Sequence, residues 1–193
     1  MGGCASKVAR EIKMAATEKL IRMYDINLCA FMELNFNWSK VNSSANLASW
    51  LRDEDRETRS ITAHNITESD EAFGKHQPGG TGMICRHEFI QYARKPSVDP
   101  RGLGRWCSWP FWCNPVHVTR IVVAYRPCQR KSNGLKTIYQ QHLRYIQHRG
   151  LKTDPTTLFD ADLSQQIKEW RGAGERGRPL DQLSSPNRYD GSG

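Results

Sequence analysis

The sequence predicts a mixed protein of the α/β or α+β class, and the order of its segments carries that prediction. An amphipathic helical segment comes first, short strand-like runs separated by Gly and Pro turns fill the middle, and two helical segments follow. With 193 residues and 38% hydrophobic residues, the chain has the size and composition of one globular domain. One core shared by helices and a sheet is therefore expected.

The N-terminal part predicts a helix, a strand and a second helix. Apolar residues recur at three- and four-residue steps from Ser6 to about Tyr24, with Lys and Arg between them, which indicates an amphipathic helix. The largely apolar run from Ile26 to Met32 predicts a strand buried on both faces, in the middle of a sheet covered by helices. A second helix is expected from about Ser44 to Leu51.

Short strand-like runs occupy the middle of the chain, and Gly and Pro clusters between them predict turns. The runs are Ser60 to Ile66, Gly80 to Cys85, a weaker His87 to Ala93, Arg105 to Trp112, and His117 to Arg126.

Two helical segments close the predicted domain, one from Lys136 to His148 and one beginning at Asp154. Asp154 can cap the second helix, and Pro155 suits its first turn. Beyond Trp170 the sequence is rich in Gly, Pro, Ser and charge, which predicts a disordered tail. The expected organisation is an N-terminal segment at 1–7, a domain at 8–171 and a tail at 172–193.

The charge balance favours a polyanionic partner, since 28 Lys and Arg residues against 20 Asp and Glu give a net charge of +8. A solvated basic surface explains the same excess. The aromatic run could stack bases in a noncatalytic nucleic-acid-binding protein, although packing in the core is the favoured interpretation; the residues concerned are Trp106, Trp109, Trp112, Arg101 and Arg105.

The six cysteines form no CxxC pair and accompany no histidine at zinc-finger spacing, so free thiols are expected and a zinc site is not. Free thiols suit a reducing compartment. The chain has no signal-peptide core and no apolar run near the roughly 18 residues of a membrane span. An intracellular protein, cytoplasmic or nuclear, is predicted.

The first residues, MGGCASK, match the pattern for myristoylation of Gly2, with Cys4 open to a second acyl chain. Two chains would anchor the protein to a membrane as an adaptor. The favoured alternative is an accidental match in a loop before the first helix. A membrane partner is expected only if Gly2 is acylated.

Polar residues at two strand ends are the candidates for chemistry. Glu33 ends the first apolar run, and in an extended chain Asn35 would project to the same side, so that oxygen ligands suited to Mg²⁺ would lie together. Tyr125 and Arg126 end another strand and could both hydrogen-bond a phosphate oxygen. Taken alone, a glutamate leaving the core and a tyrosine packed at a strand end are the commoner explanations.

Taken in order, these segments resemble the endonuclease/exonuclease/phosphatase superfamily, most closely the endonuclease-like domains that accompany reverse transcriptases in retrotransposons. The resemblance runs from about Val8 to Trp170 through INLCAFMELNFNW, PGGTGMI, DPRGLGRW, IVVAYRP, YQQHLRY and DLSQQIKEW. It implies an incomplete four-layer sandwich of mixed β-sheets flanked by helices, and Mg²⁺-dependent hydrolysis of phosphodiesters in nucleic acid, DNA in preference to RNA. The metal-binding glutamate would be Glu33, the phosphate-contacting tyrosine Tyr125, and Asn35 and Arg126 would lie beside the bound nucleic acid.

The sequence also departs from the family pattern. Met32 and Cys128 stand where glutamine and asparagine are common, and neither a G-D-x-N strand end nor an Asp-His strand end follows Trp170. Those motifs supply the further metal ligand, the general base and the histidine of the family's site. A truncated or frame-disrupted member, altered near Gly174 and weak or inactive as a nuclease, is therefore expected.

Overall fold

The computed structural model describes residues 15–40, 47–50, 57–67, 77–112, 117–128 and 137–175. Residues 15–23 are helical and are called α1. The strands are β1 (Leu28–Met32), β2 (Thr58–Ala63), β3 (Thr81–Arg86), β4 (Ser97–Val98), β5 (Trp106–Trp112) and β6 (Val118–Ala124). The later helices are α2 (Ile138–His148) and α3 (Pro155–Glu175), and 3₁₀ turns span Trp38–Lys40, Leu47–Trp50 and His87–Tyr92.

The strands form two three-stranded sheets, in the orders β1-β3-β2 and β4-β5-β6, and every described pair is antiparallel. The sheets face each other across one core, to which Met83 and Cys85 contribute from β3 and Trp109 and Phe111 from β5. The predicted α+β class is therefore confirmed.

Helical segments cover the outer faces of both sheets, which makes four layers. Ile21 of α1 packs with Leu47 against Ile84 on the outside of the first sheet. On the outside of the second sheet, Phe159 of α3 meets the Trp106 ring edge-on at 6.1 Å. Helix thus packs on part of the outer face of each sheet, while Val118 and Val122 of β6 stay exposed.

β1 is an edge strand, so the prediction that Ile26 to Met32 forms a central strand buried on both faces is wrong. Among the described strands β1 pairs with β3 alone, and Met32 at its end is 61% exposed. The central strand is β3, in which all six residues are buried. Gly82 helps β3 to take that place, because a Cβ there would lie 2.8 Å from Leu34 and 3.0 Å from Leu47.

The weak strand expected at His87 to Ala93 is a 3₁₀ helix over His87–Tyr92, so that prediction is also wrong. Ile90 is buried, and Phe89 and Tyr92 pack against the core between the sheets. Apolar residues three apart share one side of a 3₁₀ helix, which suits this short segment better than strand alternation does.

The C-terminal helices begin close to where the sequence predicts. The Asp154 carboxylate accepts hydrogen bonds from the backbone N–H of Thr156 at 2.9 Å and of Thr157 at 3.1 Å, and α3 begins at Pro155. α3 continues to Glu175, past position 171, where the predicted domain ends. The rest of the predicted tail lies outside the described residues, as do residues 6–14 of the helix expected from Ser6.

The cysteines within the described residues are free thiols, as predicted: Cys29, Cys85, Cys107 and Cys128. Burial raises the pKa of both the Cys85 and the Cys107 thiols to about 11, which keeps them protonated and unreactive near neutral pH. Among the described helices, none combines the length and the apolar character needed to cross a membrane.

A buried guanidinium joins the second sheet to α3. The Arg105 side chain, 1% exposed, donates to the Asp99 carboxylate through Nε at 2.6 Å and through Nη2 at 2.8 Å. Its Nη2 also donates to Asp162 of α3 at 2.8 Å, and the guanidinium of Arg101, nearer the surface, donates to the same carboxylate. The geometry supplies the paired hydrogen bonds that a buried charge needs.

We expect Asp99→Asn to lower the free energy of unfolding by about 3 kcal/mol, because Arg105 would lose a buried counter-charge. The matched control is Asp160→Asn, which breaks the equally bidentate but half-exposed pair with Arg126. Exposed pairs contribute little, so the control should unfold like the parent in urea. Equal effects of the two substitutions would contradict a special role for the buried pair.

Candidate functional site at one end of the sandwich

The structure brings the two predicted strand ends to the same end of the sandwich. In the first sheet Met32, just before Glu33, pairs with Thr81. Across the core the Thr81 hydroxyl lies beside the Cys107 thiol of β5. Cys107 is next to Trp106, which pairs with Ala124, the residue before Tyr125. Glu33 and Tyr125 therefore leave their strands at the same end of the sandwich, each from a different sheet.

Glu33 is exposed to solvent and has a left-handed backbone, with φ of 54°. No hydrogen bond or ion pair engages its carboxylate among the described residues. A non-glycine residue in this conformation carries a modest strain that the surroundings must hold in place. The carboxylate is thus available to a cation at the strand end, and water solvates it freely.

Asn35 does not project beside Glu33 from an extended chain, because it too has a positive φ, of 57°. Its side-chain oxygen accepts from Gly79 N at 2.9 Å, and its own N–H donates to Gly79 O at 2.8 Å. This pair of bonds holds the end of β1 against the turn that precedes β3. The amide oxygen is occupied, so the structure assigns Asn35 a bracing role.

Tyr125 is half-buried, and its N–H donates to Arg105 O at 2.7 Å, which fixes the exit of β6 beside the start of β5. The Arg126 guanidinium is exposed and forms a bidentate pair with Asp160 of α3 at 2.9 and 2.6 Å. The hydrogen bonds from Arg126 hold the pKa of Asp160 below its usual range. A phosphate approaching Arg126 would therefore have to share the guanidinium with Asp160.

Buried amides fasten α2 to the loops beneath the site, a feature that the sequence analysis missed. Gln141 of α2 accepts from Asn65 Nδ2 at 3.0 Å and donates to Pro78 O at 3.4 Å, while Gln77 donates to Asn65 O at 2.7 Å. Gln141 is fully buried. Two adjacent polar residues, Gln141 and His142, stand on the inward side of this amphipathic helix, and that pattern could have signalled buried hydrogen bonds.

His142 is buried and neutral. Its Nε2 lies 3.2 Å from Leu103 O and must be the donor, because a carbonyl oxygen only accepts. Its Nδ1 has no hydrogen-bond partner within the described ranges. Burial, reinforced by the nearby Arg105 guanidinium, lowers the pKa of His142 to about 4.

The tryptophans proposed for base stacking pack in the interior. Trp106 is 1% exposed, and Trp109 is 2% exposed with its ring N–H donating to Arg94 O at 2.8 Å. Arg105 is committed to Asp99 and Asp162, and Arg94 lies over Trp112. Trp106 and Trp109 are therefore packing residues, as the favoured interpretation expects, and nucleic-acid binding without catalysis stays a prediction.

No group of three or more His, Cys, Asp or Glu side chains within the described ranges is placed to hold a metal ion. Gly2 and Cys4, the predicted acylation sites, lie outside those ranges. Comparisons of the chain with protein-family models, curated proteins and solved structures found no match. The shared end of β1 and β6 is the candidate site that the geometry supports.

The depressed pKa of His142 predicts a loss of stability in mild acid. The unfolded chain takes up a proton near pH 6.5, whereas the folded chain resists protonation until about pH 4, so stability falls as the pH drops through that window. We expect the free energy of unfolding, measured in urea, to be about 2 kcal/mol lower at pH 5 than at pH 7 because of this residue.

His142→Gln, which can still donate to Leu103 O but does not titrate, should flatten this dependence. The exposed residue of the same helix provides the control, because His148→Gln should leave the dependence as it is. A His142→Gln variant with the pH dependence of the parent would show that the buried imidazole is not responsible.

Proposed function

We propose that this protein is a Mg²⁺-dependent phosphodiesterase-like domain that engages nucleic acid, DNA in preference to RNA, at the end of the sandwich that carries Glu33 and Tyr125, with hydrolysis weak or absent. One observation carries the proposal. The two residues that the resemblance selects, about ninety positions apart in the sequence, leave their strands at the same end of the sandwich.

The donor set suits a hydrated Mg²⁺. This ion is usually held by one or two carboxylates together with several waters and phosphate oxygens, and Glu33 offers one exposed carboxylate on a braced turn. A bound Mg²⁺ would polarise a phosphoryl oxygen and neutralise its charge. Glu33 would hold the ion, and the Tyr125 hydroxyl would donate to a phosphate oxygen.

The same features argue for slow chemistry. Within the described ranges no group of three or more His, Cys, Asp or Glu side chains is placed to hold a metal ion, and general-base catalysis, which typically contributes about a hundred- to ten-thousand-fold in rate, would require a further group of this kind beside Glu33. The buried His142 accepts no proton until about pH 4, which leaves it unsuited to that task near neutrality. Binding of a phosphodiester with little turnover is the function best supported.

Mn²⁺ used in place of Mg²⁺ tests the proposed cation site through its paramagnetism. In amide-resolved NMR spectra, substoichiometric Mn²⁺ should selectively broaden the signals of residues 32–34, and excess Mg²⁺ should reverse the effect. Glu33→Gln should abolish this broadening. Glu88→Gln, which removes an exposed carboxylate at the opposite end of β3, should leave it intact. Uniform or absent broadening would overturn the cation site.

Plasmid nicking in Mg²⁺ tests the proposed weakness of the chemistry. We expect background nicking that Glu33→Gln does not change. Clear Mg²⁺-dependent nicking that disappears in Glu33→Gln would support the site and overturn the claim of weak hydrolysis.

A further inference from the structure

A basic cleft lies at the opposite end of β2 from the strand ends that carry Glu33 and Tyr125. It has a volume of about 550 Å³ and opens between the start of β2 and the segment 93–96, with Trp109 behind it. In the β2–β3 register, Thr58 at the cleft pairs with Arg86, whereas Ala63 pairs with Thr81 beneath the strand ends of the other site. The two sites are therefore separated by the length of β2.

The cleft is preformed by buried hydrogen bonds. Arg94 N donates to Pro110 O at 2.9 Å, and the buried Trp109 ring N–H donates to Arg94 O at 2.8 Å. Both backbone polar groups of Arg94 are therefore hydrogen-bonded, which holds the segment 93–96 in place. On the opposite wall, Ala48 N donates to Ser60 Oγ at 3.1 Å. A cleft held by such contacts costs little ordering when a ligand enters.

The lining is cationic. Arg59, Arg94 and Lys95 contribute three positive charges. Arg59 is paired with Glu57 at 2.6 Å, which offsets one of them. Arg94 stacks over Trp112 and donates to Gln91 O at 3.3 Å, and within the described ranges no carboxylate pairs with Arg94 or Lys95. Among the described residues that line the cleft, the net charge is positive.

Two hydroxyls line the same wall. Thr58 Oγ1 is buried and has no hydrogen-bond partner in the described part of the chain. Ser60, two residues along β2, has the same side-chain direction as Thr58, and its Oγ accepts from Ala48 N, which leaves its own hydrogen to donate. Both side chains lie on the outer face of the first sheet, because Ser60 pairs with Ile84, which packs with Leu47 there, so these hydroxyls close the β2 wall and do not face the cations of the segment 93–96.

From this arrangement we propose that the cleft binds a phosphate group. A phosphate presents several strong acceptor oxygens and a charge of about −1.5 to −2 when it is a monoester. Its charge and its several oxygens allow one phosphate group to pair with both the Arg94 and the Lys95 cation of the segment 93–96. A free phosphate compound, with three or four terminal oxygens, and a phosphodiester of nucleic acid, with two non-bridging oxygens and a single negative charge, are the two sources of such a group.

The first arm of the test uses inorganic phosphate with the full chain in EDTA, which removes the contribution of divalent cations. Amide NMR signals of residues 58–60 and 93–96 should shift with a saturating curve. Arg94→Gln combined with Lys95→Gln should weaken binding at least tenfold, and Thr58→Val, which removes only a hydroxyl on the outer face of the first sheet, should leave it unchanged. Thermal unfolding of each variant verifies that it is folded.

Two matched controls accompany these variants. Lys152→Gln combined with Lys168→Gln removes the same charge from exposed positions near the start of α3 and within it, and should leave phosphate binding unchanged. Glu33→Gln should also leave it unchanged, which separates failure at this cleft from failure at the strand-end site. Shifts scattered over the surface, or equal weakening by the lysine control, would overturn the proposal.

The second arm uses a single-stranded oligothymidylate and identifies the source of the phosphate. If a nucleic-acid backbone occupies the cleft, the Arg94→Gln and Lys95→Gln substitutions should reduce the slope of log affinity against log salt by about 0.7 for each phosphate charge that the variant no longer neutralises. Oligonucleotide binding whose slope is unchanged, combined with localised binding of inorganic phosphate, supports a site for small phosphate compounds. Failure of both probes to shift the cleft signals overturns the proposal.

Discussion

The burial of one guanidinium constrains much of this structure. Arg105 lies between the second sheet and α3, and its charge is tolerable only because Asp99 and Asp162 meet it with directed hydrogen bonds. Desolvating an arginine costs several kcal/mol, so displacement of either carboxylate would leave that cost uncompensated. The requirement fixes the turn at 99–105 relative to β5 and draws α3 onto the outer face of the sheet. Arg105 also lies over the Trp106 ring, with its guanidinium carbon 4.4 Å from the ring centroid.

Both candidate sites depend on that framework in different ways. Arg105 O accepts the N–H of Tyr125, so the residue that ties α3 to the sheet also sets where β6 ends. The basic cleft depends instead on the far half of β5, where Trp109 and Pro110 hold Arg94 in place. The strand-end site therefore lies near the beginning of β5, and residues in the middle of the same strand support the basic cleft. The rigidity of a central, fully packed strand suits it to both tasks.

Much of the fold could be predicted because local patterns agree with tertiary packing. Asp154 and Pro155 start α3 as expected, and the Trp106 to Trp112 run is a strand. The exchange of central and edge strands could not be predicted, because Ile26 to Met32 and Gly80 to Cys85 are both short runs with a single polar residue. Position in a sheet depends on which neighbours pair, and the glycine in β3 admits Leu34 and Leu47 at close range. Likewise, the 3₁₀ turn at His87–Tyr92 is short enough for packing to override its weak strand preference.

For the candidate site, the sequence by itself determined which residues end strands: Glu33 after β1, and Tyr125 with Arg126 after β6, because a polar residue that closes an apolar run is recognisable from local pattern alone. Only the tertiary structure decided their surroundings. It placed Glu33 and Tyr125 at one end of the sandwich, turned Asn35 back to hold Gly79, and paired Arg126 with Asp160. It also buried His142, where no described group accepts a hydrogen bond from a second ring N–H. It placed Thr58, Arg94 and Lys95 around one cleft. These relations join residues tens of positions apart, and they follow from strand register and buried charge, which no local stretch of sequence specifies.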